Sequence, residues 1–433
     1  MSDAIRQRLA AAGVHTLLAQ FTDVHGTAKG KFVPLAHWND LIETGAGFAG
    51  PSIWGTGLPR TGPRSEYIAR GVAESATPLP WMPGVARVVC DGFVGGQPFD
   101  NCPRQVLRRA VARLAEQGMT MRTGIEPEFF LLRQDGQGRW GPADPLDRLD
   151  KPSYDLQSLP RQRPFLDALS AGLSACGLDV LQIDHEDAHG QYELNFAHAS
   201  VLHSADHLML FKLGAHALAE QQGLVFSMMP KPFADQPGSG LHFHVSLWQG
   251  DRSAPQAVQT AFMAGVLAHS AALCAVAAPT VNSYKRLMVF PSLSGTSWAP
   301  AVVAHGPNNR TALLRTLPDR FEWRLPDASA NPYLASAAMI EAGLDGLARG
   351  LDPGPAQTDD LFELAPATLA ARGIGLLPQS LGAALDALQA DAVVTAALGP
   401  ALATEFIRLK RQELAEHALH ISDWELKRYV RAF

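Results

Sequence analysis

The sequence predicts a mixed helix-and-strand protein, of the α/β or α+β class, built in two parts. Three observations carry this. The N-terminal stretch reads as strands separated by turn residues; residues 45–84 are crowded with Gly and Pro; and after Pro103 helical periods alternate with short apolar strands. The change of rhythm falls near Asn101 and divides the chain into residues 1–101 and 102–433. At about 150 residues per domain, a chain of 433 residues suits two or three domains.

Taken in order, residues 14–21 read as a strand, Asp23-Val24-His25-Gly26 supplies turn chemistry, and a second strand surrounds Lys31-Phe32-Val33, an arrangement that predicts a hairpin. Residues 86–90 form another strand, which Asp91-Gly92 is predicted to end in a turn before Asn101-Cys102-Pro103. Farther on, Ser204 is a candidate cap for a helix that begins at Ala205 and stops at Gly223. Residues 265–279, small and apolar but interrupted by His269 and Ser270, fall short of the ~20 needed to span a bilayer and predict a buried helix.

Charge and composition exclude several classes. Lys and Arg number 36 against 42 Asp and Glu, a net charge of -6, and no basic stretch tracks a phosphate backbone, so no nucleic acid partner is expected. No membrane span is expected either. Residues 1–6 lack the basic-then-apolar pattern of a secretory leader, which predicts a cytoplasmic protein. The four cysteines are far apart and form no C-x-x-C pair, so they predict free thiols. Neither a phosphate loop of the G-x-x-x-x-G-K-[ST] type nor a G-x-S-x-G nucleophile elbow occurs.

Chemistry concentrates on alternating segments. In residues 123–132 a strand places Glu126 and Glu128 on one face, with Ile125 and Phe129 on the other. Residues 240–248 repeat this with His242, His244 and Ser246 opposite Leu241, Phe243, Val245 and Leu247. Residues 184–196 and 320–325 behave alike. Each pattern alone also suits a solvated edge strand or a satisfied core histidine; four together suggest one polar cavity. Such a cavity would hold several carboxylates, histidines and guanidinium groups, costly to bury without divalent cations and anionic substrates. Oxygen donors dominate, which favours Mg²⁺ or Mn²⁺ over Zn²⁺. Arginines in residues 282–287 and 308–315 offer bidentate donors to carboxylate and phosphate. From these residues alone the chain reads as a metal-dependent, phosphate-handling enzyme.

Five motifs in order, Glu126-Pro127-Glu128-Phe129-Phe130, the pair Glu186 and Glu193, Gly238-Ser239-Gly240-Leu241-His242-Phe243-His244, residues 282–287 and Asn331-Pro332-Tyr333-Leu334, resemble the glutamine synthetase family over nearly the whole chain. The resemblance implies an α+β fold: a β-grasp domain over residues 1–101, then a catalytic domain over residues 102–433 with an antiparallel strand funnel and surrounding helices. It implies a homo-oligomer, typically a dodecamer of two hexameric rings with active sites between subunits. The reaction it implies consumes ATP to phosphorylate the γ-carboxyl of glutamate, after which an amine displaces phosphate.

Carried over, Glu128, Glu186 and Glu193 resemble ligands of one metal, and Glu126, His242 and Glu322 ligands of a second. Gly238, Arg286 and Arg324 would hold glutamate, Arg310 would stabilise the transferring phosphoryl group, and His244, Ser246, Arg315 and Arg320 would contact ATP. Glu186 would help deprotonate the amine, Arg286 would act in catalysis, and Ser52 and Tyr154 would lie at the substrate.

Departures from the family pattern narrow the substrate. Phe48-Ala49-Gly50-Pro51-Ser52-Ile53 aligns with Phe-Asp-Gly-Ser-Ser-Ile, so Ala49 replaces an acid that serves ammonium. Trp298-Ala299-Pro300 stands where Glu-Ala-Pro is usual. An alkylamine needs apolar surface against its carbon, which Ala49 and Trp298 offer. These features resemble the type III-like branch that forms γ-glutamylamides, with methylamine the favoured amine, ammonium the alternative, and a catalytically silent protein of the same fold a third. Phe362 lacks the hydroxyl modified in some relatives, and Pro237 replaces an Asn before Gly238.

Overall fold

The computed structural model describes residues 2–288 and 298–433. The Ser- and Gly-containing loop before Trp298 therefore lies outside the described residues. Two sheets organise the rest.

The N-terminal sheet contains β1 (Thr16–Thr22), β2 (Ala28–Pro34), β3 (Ala46–Ala49), β4 (Glu66–Gly71) and β5 (Val85–Val94), in the order β2-β1-β5-β4-β3. β1 and β5 run parallel at its centre; the other neighbours are antiparallel. The predicted hairpin is present: Asp23 Oδ1 accepts the N–H groups of His25 and Thr27, both at 3.0 Å, and turns β1 into β2. Leu17, Trp38, Tyr67 and Val88 pack in a core that runs from Leu9 to Cys102.

Asp91-Gly92 is not the predicted turn. Both residues lie inside β5, paired with Arg70 and Ala69 of β4. Gly92 is there because a Cβ would stand 2.4 Å from the Tyr67 hydroxyl, and Asp91 because its carboxylate receives Arg104 at 2.6 Å.

The second sheet holds β6 (Thr120–Gln134), β7 (Val180–His185), β8 (Gln191–Phe196), β9 (Leu241–Gln249), β10 (His305–Pro307), β11 (Leu314–Thr316) and β12 (Phe321–Trp323). Their order is β7-β8-β6-β9-β12-β11-β10, antiparallel except for the short parallel pair β10 and β11. The strands are amphipathic as read. Ile125, Phe129, Leu241, Phe243, Val245 and Leu247 are buried in the main core, against helices α1 (Pro103–Glu116), α2 (Arg163–Ala175), α3 (Val201–Gln221), α4 (Gln256–Ala268), α5 (Ser270–Ala277) and α6 (Pro332–Arg349).

Two helix predictions are corrected. α3 starts at Val201, and Ser204, inside its first turns, donates instead to the Thr123 carbonyl at 2.6 Å, tying the helix to β6. The helix ends at Gln221, just before Gly223. In place of one helix over residues 265–279, the end of α4 and all of α5 (Ser270–Ala277) form two buried helices bent by 75°. The polar His269 occupies the bend, between Asp391 Oδ2 at 2.6 Å and Asp345 Oδ2 at 2.9 Å. Among the described residues no single helix is long and apolar enough to cross a membrane.

A buried polar cluster ties the N-terminal sheet to helices that pack on the second. Arg104 on α1 donates to Asp91 on β5 and, at 2.9 Å through two nitrogens, to Asp206 on α3. Asp206 also accepts the Tyr333 hydroxyl at 2.7 Å. Arg87 on β5 bridges Gln20 and the Asp206 carbonyl.

Candidate active site

The polar faces of β6, β8, β9 and β12 open into one cavity of about 1220 Å³. Cross-strand register assembles it. Glu126 on β6 stands opposite His242 on β9, and Glu128 opposite Glu193 on β8. Glu193 in turn faces Asp184 on β7, and Glu322 on β12 faces both His244 and Arg315. Period-two side-chain geometry then turns every one of these groups to the same side.

Among the described residues three clusters of carboxylates and histidine result: Glu126, His242 and Glu322; Glu128, Glu193 and His242; and Asp184, Glu186 and Glu193. The structure brings the expected set Glu126, His242 and Glu322 together as a unit. The other set, Glu128, Glu186 and Glu193, is divided between the second and third clusters, and Asp184, which sequence reasoning missed, completes the third. His242 lies between the first two clusters, with Nδ1 3.5 Å from Glu322 and 3.8 Å from Glu126, and Nε2 3.8 Å from Glu128. Gly240 permits this crowding, since a Cβ there would stand 2.6 Å from His242 Nε2 and 2.9 Å from Glu128. Glu128 accepts the Gly240 N–H at 2.8 Å and the Gln191 amide at 3.0 Å.

The charges are compensated unevenly. Burial works to raise the Glu126 carboxyl, but the adjacent imidazoles of His242 and His244 outweigh it and hold the group well below the usual range. Burial is likewise outweighed at Glu322, by Arg324 and the two histidines; Arg315 reaches the same carboxylate at 2.9 Å. At the other end burial and like charges dominate. Burial, then neighbouring carboxylates, pushes Glu186 and Glu193 well up, and Asp184 up to about 6. Asp184 Oδ1 is buried without a hydrogen-bond partner among the described residues. A hard divalent cation fits this oxygen-rich set, because it would satisfy the orphaned atom and the mutual repulsion at once.

Gly238, Arg286, Arg324, Arg310, Arg315, Tyr154 and Trp298 line the same cavity. Arg286 is buried and donates to the Leu325 carbonyl at 3.1 Å. Tyr154 sits at φ 62°, in the left-handed region, held by its N–H to the His185 carbonyl at 2.9 Å. His244, Ser246 and Arg320 are not part of this lining. Arg320 donates to His244 Nδ1 at 3.0 Å, so His244 Nε2 carries the proton shared with Glu126 at 3.0 Å; Ser246 accepts the Trp248 indole N–H at 2.9 Å. Ala49 and Ser52 are exposed at the N-terminal sheet and do not line this chain's cavity.

Gln191 and Asn195 also line the cavity and were missed, although they share a face with Glu193 by the same alternation. Trp424, on a C-terminal helix (Asp423–Tyr429), reaches the cavity with no sequence signal.

Carboxylate clusters walled by arginines in one deep cavity define an enzyme that handles phosphoryl groups with divalent metal. Comparison with known proteins makes this particular. Residues 100–429 match the catalytic domain of glutamine synthetase. The chain is 47% identical to a glutamate–methylamine ligase of Methyloversatilis universalis over 97% of both chains, and 36% identical to a glutamine synthetase of Rhizobium leguminosarum over 94% of both. It superposes on a solved GmaS–ADP complex with a TM-score of 0.91 at 36% identity, covering 99% of this chain and 100% of that one. The chain belongs to the glutamine synthetase family, ATP-dependent carbon–nitrogen ligases that use divalent metals.

Proposed function

We propose that the chain joins the γ-carboxyl of glutamate to a small primary amine, methylamine favoured over ammonium. The observation that carries this reading is the indole of Trp298 in the wall of the carboxylate-lined cavity that Glu186 and Tyr154 also line, where an alkyl group gains an apolar surface. The 47% identity to a methylamine-using relative supports it.

In the reaction, a γ-carboxylate oxygen of glutamate attacks the γ-phosphorus of ATP and ADP leaves. The amine nitrogen then attacks the acyl carbon of γ-glutamyl phosphate, and phosphate leaves. We assign Gly238, Arg286 and Arg324 to glutamate, Arg310 and Arg286 to the charge that develops on the phosphoryl and acyl oxygens, and Glu186 to the proton shed by the amine. His244, Ser246, Arg315 and Arg320 serve ATP, and Tyr154, Trp298 and Ser52 the amine side. Glu126, Glu128, Glu186, Glu193, His242 and Glu322, with Asp184, would hold two or more Mg²⁺ or Mn²⁺ ions, which when bound neutralise phosphate charge.

We further propose a division at 101/102 into an N-terminal and a catalytic domain, supported by an N-terminal core that ends at Cys102. A ring assembly, a dodecamer in the proposed form, would bring Ser52 and Ala49 to a neighbour's cavity; their exposure supports this. A cytoplasmic location suits four free cysteines and a demand for ATP.

The test is phosphate release from ATP and Mg²⁺ with glutamate and no amine, ammonium, methylamine or longer amines, with the product's mass confirmed. A higher kcat/KM for methylamine upholds the reading. A preference for ammonium makes this a glutamine-forming enzyme, and silence with every amine removes the proposed activity.

A further inference from the structure

Asp187 directly follows Glu186 in the turn from β7 to β8, half-buried, and its side chain lines the same cavity as Glu186, Tyr154, Arg310 and Trp298. No role has so far fallen to it. Its carboxylate is nonetheless held in place: Oδ2 accepts the indole N–H of Trp298, and its own N–H donates to Glu186 Oε2 at 3.2 Å. Trp298 is tied at its other end as well, its carbonyl accepting from Arg324 Nη2 at 3.3 Å. Arg324, Trp298, Asp187 and Glu186 therefore form one hydrogen-bonded chain along the cavity wall.

The chemistry of that wall is specific. A carboxylate offers about four acceptor sites, of which the indole takes one, so Asp187 keeps capacity for a ligand. Beside it lies an apolar ring. A protonated primary amine has the complementary form, with N–H donors at one end and carbon at the other, and charge-assisted hydrogen bonds are the stronger kind. Trp298 stands where the family pattern has an acid, and Asp187 supplies a carboxylate at the indole N–H instead.

We infer that Asp187 is a specificity-determining residue: its carboxylate, oriented by the Trp298 indole N–H, holds the ammonium group of the incoming amine while the indole covers the alkyl group. This rests on the amide-forming reaction proposed above.

The test is steady-state kinetics of the full-length enzyme and of Asp187→Asn, Asp187→Glu and Trp298→Phe, with methylamine and ammonium each varied at saturating glutamate and ATP, and glutamate varied separately. Asp187→Asn keeps an oxygen for the indole and removes the charge, so the amine KM should rise about tenfold, the scale of one hydrogen bond to a charged group, while the glutamate KM stays within about twofold. Asp187→Glu should recover part of the amine affinity, which a misfolded protein would not. Trp298→Phe should raise the methylamine KM more than the ammonium KM. An unchanged amine KM in Asp187→Asn, or a parallel rise in both amine and glutamate KM, overturns the inference and leaves Asp187 a structural prop for Trp298. If the unsubstituted enzyme prefers ammonium, the alkylamine reading falls, and the ammonium KM of Asp187→Asn still decides the part played by Asp187.

Discussion

Glu128 and Glu193 stand directly opposite each other across the antiparallel ladder of β6 and β8. Like charges at such a pair repel, and both side chains are buried. The family's metal dependence is thus written into strand register: the ladder assembles a site that is strained until a cation joins it.

Divalent metal should therefore stabilise the protein in a pH-dependent way. A carboxyl with a raised folded pKa binds more protons folded than unfolded, between its unfolded value of about 4 and its folded value. Stability without metal then falls as pH rises through that window, which for Asp184 reaches about 6; Glu186 and Glu193 are likewise raised well above the ordinary carboxylate value. The gain in melting temperature on adding Mg²⁺ should be larger near about pH 7.5 than near about pH 5. An equal gain at both would show that these carboxylates do not receive the ion.

Glu126→Ala removes the carboxylate that two histidines hold ionised. Amide formation should fall by roughly a hundredfold or more, with the far-UV circular dichroism spectrum preserved. Near-normal turnover at saturating Mg²⁺ would refute its assignment as a metal ligand.

Arg104 ties the N-terminal sheet to α3. Arg104→Met leaves Asp91 and Asp206 buried without their shared cation, and such a loss costs about 3–5 kcal/mol. The denaturant midpoint should drop accordingly. A shift no greater than that of an exposed substitution such as Arg139→Met would show that the cluster carries no stability.

His269 supplies a pH effect of opposite origin. Its pKa is raised, first by its hydrogen bond to Asp391, and with Asp345 adding to it against a smaller effect of burial. Its contribution is complete below the unfolded value of about 6.5 and is lost as pH rises through the folded value. Asp391 and Asp345 are held below their usual range, burial notwithstanding, by His269 among other partners, so they remain ionised as pH falls toward weak acidity. The stability difference between the protein and His269→Gln should accordingly be greatest in weak acid and shrink above neutrality. A difference independent of pH would remove the ion-pair reading.

By itself the sequence determined the strands that carry the chemistry, because period-two alternation places Glu126 with Glu128 and His242 with His244 whatever surrounds them. It also determined the β1–β2 hairpin, through Asp23 and the turn it closes. Its errors fell where a local pattern has two uses: Asp91-Gly92 is turn chemistry in isolation, yet here the glycine admits the Tyr67 ring and the aspartate meets Arg104 from another helix. Ser204 resembles a cap but bonds to β6 instead. Tertiary structure alone decided the partners. Strand register set Glu128 against Glu193, 65 positions away, and Glu193 in turn against Asp184, and divided one expected ligand set between two clusters. It also brought Trp298 to Asp187, 111 positions away. Side-chain direction is a local property of a strand, whereas which carboxylates share a cavity depends on how distant strands pair.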